Sequence, residues 1–391
     1  MERKINQKMN AQKFKQTEIG KIPEDWIVEP FGNLIKLTTG KLDSNAEEAD
    51  GKYPFFTCAP VPLKINNYAF DCDAILLAGN NANGIFHINK FSGKFNAYQR
   101  TYILTKKEDV NLNFLYYSLQ LYLNHFREIS QGSATKFLTR GIIEKIKIGF
   151  PKSSSEQLAI ASILSSLDSK IELNNKMNKT LEAIGQAIFK KWFIDERKED
   201  WKISKIGSEL KTILGGTPDR TKPEYWNGDI NWINSGKVNE LRIIEPSEKI
   251  TELGLKKSAT SLLPKGTVVL AITGATLGQV SRLEINSCAN QSVIGVLENE
   301  KFSSEYLYYL IKNKIDEIIG FQTGGAQQHI NKNNVDNFEI IIPDEKTLRN
   351  FNQLIKPIFK QISINSFQSQ TLSQIRDALL PKLMSGEIRV K

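Results

Sequence analysis

Asn80, Asn81 and Asn83 follow directly on the apolar run Ala74-Ile75-Leu76-Leu77-Ala78, and amide side chains on a loop suit the recognition of base edges. Asparagine, glutamine, arginine and lysine match the donor and acceptor pattern of the DNA major groove, and serine and threonine fit either role. The first half of the chain offers further candidates of this kind at Lys94, Tyr98, Arg100, Ser133, Thr135 and Lys136. The second half offers Thr217, Arg220, Ser235, Lys237, Thr273, Thr276, Asn290, Gln327 and His329. Gly79, Gly84, Gly274 and Gly278 stand beside them, where a missing Cβ lets backbone approach a ligand. Asn and Gly are also ordinary turn formers, so each position carries that plainer reading as well. Gln99 and Gln291 match across the two halves, which points to a shared structural role.

Known catalytic patterns are missing. The chain has no Gly-x-x-x-x-Gly-Lys-Ser/Thr phosphate loop, no His-Glu-x-x-His helix and no Asn/Asp-Pro-Pro-Tyr amino-methylation motif. Gly274-Ala275-Thr276-Leu277-Gly278 lacks the third glycine of a dinucleotide fingerprint, and His87, His125 and His329 are scattered. Cys58, Cys72 and Cys288 have no metal-ligand spacing and read as reduced cytosolic thiols. The longest apolar runs are far too short to span a bilayer. The formal net charge is +9 and both halves are basic, which favours a polyanionic partner over solubility charge alone. The excess concentrates at Lys52, Lys64, Lys90, Lys94, Arg100, Lys106 and Lys107, opposed only by Asp71 and Asp73 in that stretch.

The elements that must position these residues are written twice. Trp26 and Gly32 answer to Trp201 and Gly207 at an offset of 175. The run 74–78 answers to 267–271 at 193, and Phe114-Leu115-Tyr116-Tyr117 to Tyr306-Leu307-Tyr308-Tyr309 at 192. Pro151 matches Pro343 at 192, and Thr180-Leu181, Ile184 and Ala187 match Thr371-Leu372, Ile375 and Ala378 at 191. An ordered series at nearly constant offset is an internal repeat. Strands are expected at 75–78, 102–104 and 146–150, and again at 268–272, 294–297 and 338–342. Between them, helices are expected at 113–127 and 305–319, with tyrosines and leucines facing a core.

After Pro151 the period changes. Ser153-x-x-Glu156 is a capping box, and Ile160, Leu164, Leu167, Ile171, Asn174, Asn178, Leu181, Gly185 and Ile188 then step by four and three. That is a coiled-coil seam. Ile355, Ile358, Ile362, Asn365, Ser369, Leu372 and Leu379 form a similar one, where Pro357 should kink the helix or delay its start. Asn174, Asn178 and Asn365 are polar seam residues of the kind that fix register. The expected fold is therefore α+β: two globular domains related by internal repeat, each followed by a long helix, the two helices pairing as an antiparallel coiled coil. Two ordinary amphipathic helices buried separately are the plainer alternative. About 35 residues at ~1.5 Å rise give a rod of about 50 Å. One turn of B-DNA is about 34–36 Å, so such a rod would set the gap between two read segments.

These residues resemble the specificity subunits of type I restriction-modification systems over nearly the whole chain. The stretch from Thr17 to Trp26 looks like that family's first target-recognition domain opening, and Gly215-Gly216-Thr217-Pro218 with Tyr225-Trp226-Asn227-Gly228 looks like the second. Gln157-Leu158-Ala159 through Lys190-Lys191-Trp192-Phe193 is similar to the family's central helix, and Leu379 through Ile388 to its distal one. The resemblance implies a non-catalytic subunit without a cofactor or metal, located in the cytoplasm. Its implied partners are double-stranded DNA with a bipartite target, two methylation subunits and a restriction subunit. It divides the chain into a basic arm at 1–17, recognition domains at 18–152 and 195–343, and helical spacers at 153–194 and 344–391. Three other readings stay open: a specificity subunit of a related system that cleaves near its site, an enzyme in its own right such as a nuclease with an unfamiliar site, or a coiled-coil scaffold for protein or RNA.

Overall fold

The structure is a computed structural model and describes residues 13–81, 84–107, 110–132, 135–320 and 329–390. The chain divides into two compact units, Met1–Lys170 with Leu372–Lys391, and Ile171–Thr371. Both units follow one plan.

In the first unit a six-stranded sheet runs in the order Ile35–Thr39, Thr101–Lys106, Phe70–Ala78, Ile88–Ala97, Tyr53–Phe56, Leu63–Ile65. Its pairings are antiparallel except for Tyr53–Phe56 against Ile88–Ala97. Trp26–Pro30 pairs separately with Lys147–Pro151. The second unit repeats the order as Thr212–Leu214, Val293–Val296, Val268–Ala271, Val280–Arg282. Its other strands, Glu248–Ile250, Trp226–Ile233 and Cys288–Ala289, form a separate sheet that keeps the one parallel pairing. Lys202–Lys205 pairs with Glu339–Ile342 as the counterpart of the separate ladder.

Within the central strands the runs 74–78 and 268–271 are apolar at every position because both faces are covered there. Ile75 and Leu77 face a core built around Trp26, Phe114 and Phe126, whereas Ala74 and Leu76 face Phe56, Phe95 and Ile103. In the second unit Val268 and Leu270 face Tyr306 and Phe351, and Val269 and Ala271 face Ile233 and Leu283. Successive strand residues point to opposite faces, so a continuous apolar run divides itself between two cores. The helices Leu112–Ile129 and Ser304–Ile319 lie in the larger cores, capped by Asn111 (accepting from Phe114 N, 3.0 Å) and Ser303 (accepting from Tyr306 N, 3.3 Å). The tyrosines at their matching positions are packing residues: Tyr117, Tyr306, Tyr308 and Tyr309 are buried. The sequence repeat also reappears as contact geometry. A Cβ on Gly32 would stand 2.8 Å from Glu144 Cβ, and one on Gly207 would stand 2.8 Å from Asp336 Cβ.

The central helix Ser154–Lys190 and the distal helix Glu345–Met384 are the two long helices. Ser153 caps the first by accepting from Glu156 N, and Asp344 caps the second by accepting from Thr347 N at 2.9 Å. Of the two effects expected of Pro357, a kink or a delayed start, the delay does not occur: the distal helix begins at Glu345 and runs through the proline. The Asp344 cap sets the start, and Pro357 removes only its own donor from the ladder. At the end of the central helix, Lys191–Asp195 wind more widely, as a π-helical turn.

The seam read from the sequence is the contact line. Ile160, Leu164, Asn174, Asn178, Gly185, Ile355, Ile362 and Asn365 are buried. Asn174 reaches Gln368 and Ser369, while Asn178, four residues on, reaches Asn365 and Ser366, so the helices run antiparallel. In the first unit, Asp168 accepts from Arg376 at 2.7 Å and from the Tyr117 hydroxyl at 2.6 Å. The tail beyond the distal helix is held in the same unit by Arg389, whose guanidinium donates to Asp25 (2.8 and 2.7 Å) and to Glu156 (2.6 and 2.9 Å).

Candidate nucleic-acid interface

Main-chain bonds gather the candidate loops of the first unit at one end of its sheet. Asn80–Asn81 pairs antiparallel with Lys136–Phe137, and Leu138 N donates to Gly79 O at 2.8 Å. Gly79 N donates to Arg100 O at 2.8 Å; a Cβ on Gly79 would stand 2.4 Å from that oxygen, so its smallness serves an internal contact. Tyr98 N donates to Phe56 O at 2.9 Å, and Gln99 N to Leu42 O at 2.8 Å. Asn80, Asn81, Tyr98, Arg100, Thr135 and Lys136 are thereby brought together, with Arg100 and Thr135 exposed. Lys94 is not. It lies within the strand Ile88–Ala97 opposite Asp71, with its ammonium 4.6 Å above the Tyr68 ring. Asn83 and Ser133 lie outside the described residues.

The second unit assembles an equivalent edge from different side chains. Thr273 bridges to His329, the place Asn80 and Phe137 hold in the first unit, and Ile330 N donates to Ile272 O at 3.1 Å. Gly216 N donates to Ala289 O at 2.8 Å, and Asn290 N donates to Ile233 O at 2.9 Å, drawing in the loops of Thr217 and Ser235. Thr276 closes its own turn by donating to Thr273 O. Gln327 lies outside the described residues.

Two side chains proposed from sequence are already engaged. Lys237 donates to Glu240 (2.7 Å) and Glu245 (3.0 Å) and is only 17% exposed. Burial pulls its ammonium pKa down, but those two carboxylates outweigh burial and hold it above its ordinary value. Arg220 lies flat on Trp226, its guanidinium carbon 3.8 Å from the ring centroid, and grips Glu248 through both terminal nitrogens at 2.6 and 2.8 Å. That hydrogen bonding lowers the Glu248 carboxyl pKa. Glu248 is absent from the sequence reading because a lone glutamate between short strands carries no signal of its own.

Gln99 and Gln291 have the shared structural role inferred from their match. Gln99 donates to Asp43 at 2.7 Å, and Gln291 accepts from Thr217. Each glutamine thus ties its loop to the one that follows the first strand of its sheet. Gly40 and Gly215 permit this closeness: a Cβ on either would lie about 2 Å from the carbonyl of Ala97 or of Asn290 (2.0 and 2.1 Å). Among the described residues no three His, Cys, Asp or Glu side chains gather as metal ligands. None of their helices is long and apolar enough to cross a membrane.

Two units on one topology, each with polar loops collected at a sheet end and each joined to a long helix of an antiparallel pair, define a duplicated recognition protein. The chain belongs to the family of the type I restriction modification DNA specificity domain, whose sequence model matches residues 23–183 and again 198–376. The MjaIX specificity subunit of Methanocaldococcus jannaschii is 28% identical over 97% of this chain and 97% of its own. The EcoDI specificity subunit of Escherichia coli is 41% identical over 187 residues, which cover 47% of this chain and 41% of that one. The crystal structure of a type I S subunit from M. genitalium superposes with a TM-score of 0.63 over 95% of this chain and 98% of that one. Its identity is 16%, so that likeness is one of fold.

Proposed function

We propose that the chain is the specificity subunit of a type I restriction-modification system and that each unit reads one half of an interrupted DNA target. The observation that carries this reading is the duplicated loop edge. One main-chain framework presents Asn80, Asn81 and Lys136 in one unit and Thr273 and His329 in the other. A fixed frame bearing different donors and acceptors is what two different half-sites require. The net charge of +9 suits the phosphate backbone that both edges would meet.

Asn80, Asn81, Tyr98, Arg100, Thr135, Lys136, Thr217, Arg220, Ser235, Thr273, Thr276, Asn290 and His329 are the described residues we assign to DNA. Lys94 and Lys237 belong at most to the phosphate-facing margin, since each is matched by acidic neighbours. The recognition domains are 18–152 and 195–343, and the paired helices at 153–194 and 344–391 set the spacing between half-sites. Asn174, Asn178 and Asn365 hold the register of that pair. The partners are duplex DNA, two methylation subunits and a restriction subunit. Catalysis belongs to those subunits, and the assembly works in the cytoplasm.

The test is methylome sequencing of a host expressing this chain with its methylation subunit. A two-part methylated motif that disappears when this chain is deleted is the expected result. An uninterrupted motif, or no methylation from a soluble complex, would overturn the reading.

A further inference from the structure

Arg220 is held on three sides by features that fix its plane. Asp219 O accepts from Trp226 Nε1 at 3.2 Å, and Asp219 Oδ1 accepts from Thr221 N at 2.9 Å, which locks the loop backbone on either side of the arginine. Its guanidinium then sits over Trp226, and the same guanidinium carbon lies 5.2 Å from the Trp232 ring centroid. Glu248 completes the arrangement by taking both terminal nitrogens, on a strand where it stands opposite Trp232. The pair is nevertheless accessible, the two side chains being 52% and 42% exposed.

A carboxylate offers two coplanar acceptors. The major-groove edge of guanine offers the same through O6 and N7, and a guanine meeting the same N–H of each terminal nitrogen that Glu248 holds must displace it. We propose that Glu248 competes with DNA for Arg220, standing where the double-acceptor edge of a guanine would lie, and so sets how much of that contact's discrimination is expressed. The proposal rests on the reading of this loop edge as a DNA interface.

The magnitudes favour such a role. An exposed ion pair is worth no more than about five-fold in an equilibrium constant, whereas a good bidentate base contact discriminates by roughly five- to 150-fold. Guanine can therefore replace the carboxylate, while a base with a single acceptor leaves the arginine on Glu248. Stacking on Trp226 sharpens the choice, because a fork with a fixed plane suits a planar pair of acceptors better than it suits a freely turning phosphate.

The test uses the full chain in complex with its methylation subunit. It is titrated at fixed salt with duplexes carrying the mapped target and with duplexes substituted at one pair at a time. R220A should lose about five-fold or more of the discrimination at a single G·C pair. E248Q frees the fork before binding, so it should bind the cognate duplex up to about five-fold more tightly and the duplex mismatched at that pair by less, raising the specificity ratio. E300Q, the same charge change at another exposed site, should shift both duplexes equally. Replacing that guanine with 7-deazaguanine, which removes N7 and leaves every phosphate, should cost as much as the mismatch. If the 7-deaza duplex binds like the natural one, Arg220 meets a phosphate and the proposal is wrong. If E248Q weakens binding as R220A does, Glu248 merely props the arginine, and the proposal is equally wrong. E248D, which keeps the charge but shortens the reach, supplies the same comparison should E248Q melt early. Unchanged discrimination in R220A, with the two-part motif still methylated, would sink this proposal and leave the specificity-subunit reading standing. A wild-type complex with no sequence preference would remove both.

Discussion

Asn365 donates its side-chain amide to the Asn178 carbonyl oxygen at 2.9 Å, joining two buried side chains on helices that run in opposite directions. The Asn178 amide in turn lies 3.3 Å from Ser366 Oγ. Asn365→Leu alone strands the Asn178 oxygen in a seam closed to water, at a cost of about 1–3 kcal/mol. The double variant N178L/N365L removes both polar partners and should melt above either single variant. A double variant that melts lowest of the three would show that the hydrogen bond, rather than stranded polarity, dominates.

Gly185 faces the Tyr309 hydroxyl so closely that a Cβ would stand 2.0 Å from it. Tyr309 is buried and cannot swing away freely. Gly185→Ala should therefore destabilise by about 1–3 kcal/mol, as other overpacking changes do. Tyr309→Phe removes the offending oxygen, so G185A/Y309F should recover part of the loss in a thermal melt. No recovery would place the strain elsewhere on the helix.

Trp26 and Trp201 match in the repeat and differ in one bond. Trp201 Nε1 donates to Asp344 at 3.2 Å, whereas Trp26 Nε1 is buried with no partner among the described residues. Trp201→Phe gives up a hydrogen bond to a charged group, worth about 1.5–3 kcal/mol, in addition to apolar area. Trp26→Phe gives up area but also relieves an unsatisfied donor. The melting temperature of W201F should fall further than that of W26F, and the opposite order would refute the assignment.

Asp344 accepts from Lys198 at 2.7 Å, from Thr347 and from Trp201, and the Lys198 bond above all holds its carboxyl well below the usual carboxylate range. A carboxyl with a lowered folded-state pKa contributes stability above its unfolded value of about 3.9 and loses that contribution as the pH falls. Asp344→Asn should lower the melting temperature at pH 7, and its gap from the wild type should narrow progressively as the pH falls below about 4. A gap that stays constant across this range would mean that capping, not charge, is what Asp344 supplies.

Exchange of residues 23–150 for the matching segment of another family member should change one half of the methylated motif and leave the other half intact. Methylome sequencing reads this directly. A change in both halves would mean that the units do not read independently.

The inner helices and the seam were legible in the sequence because each rests on a local period, the central strands because short apolar runs stand between turn formers, and the repeat because an ordered series of matches recurs at nearly constant offset. Alternation of two on a strand and of three and four on a helix is set by backbone geometry alone. Asn174, Asn178 and Asn365 could be placed in the seam on that ground, and they are buried there. Other features depended on partners distant in the chain. The parallel pairing of Phe55 with Asn96 has no period to announce it, and the strands Tyr53–Phe56 and Leu63–Ile65 went unread. Pro357 was expected to kink its helix or delay its start because local propensity was all that could be weighed. Its helix is carried through by the Asp344 cap before it and the buried Ile355, Phe359 and Ile362 around it. Side-chain type and loop position nominated Arg220 and Lys237 as base-reading candidates. Only the tertiary structure brings Glu248 to the first and Glu240 and Glu245 to the second, because ion pairing depends on distance in space and not on separation along the chain.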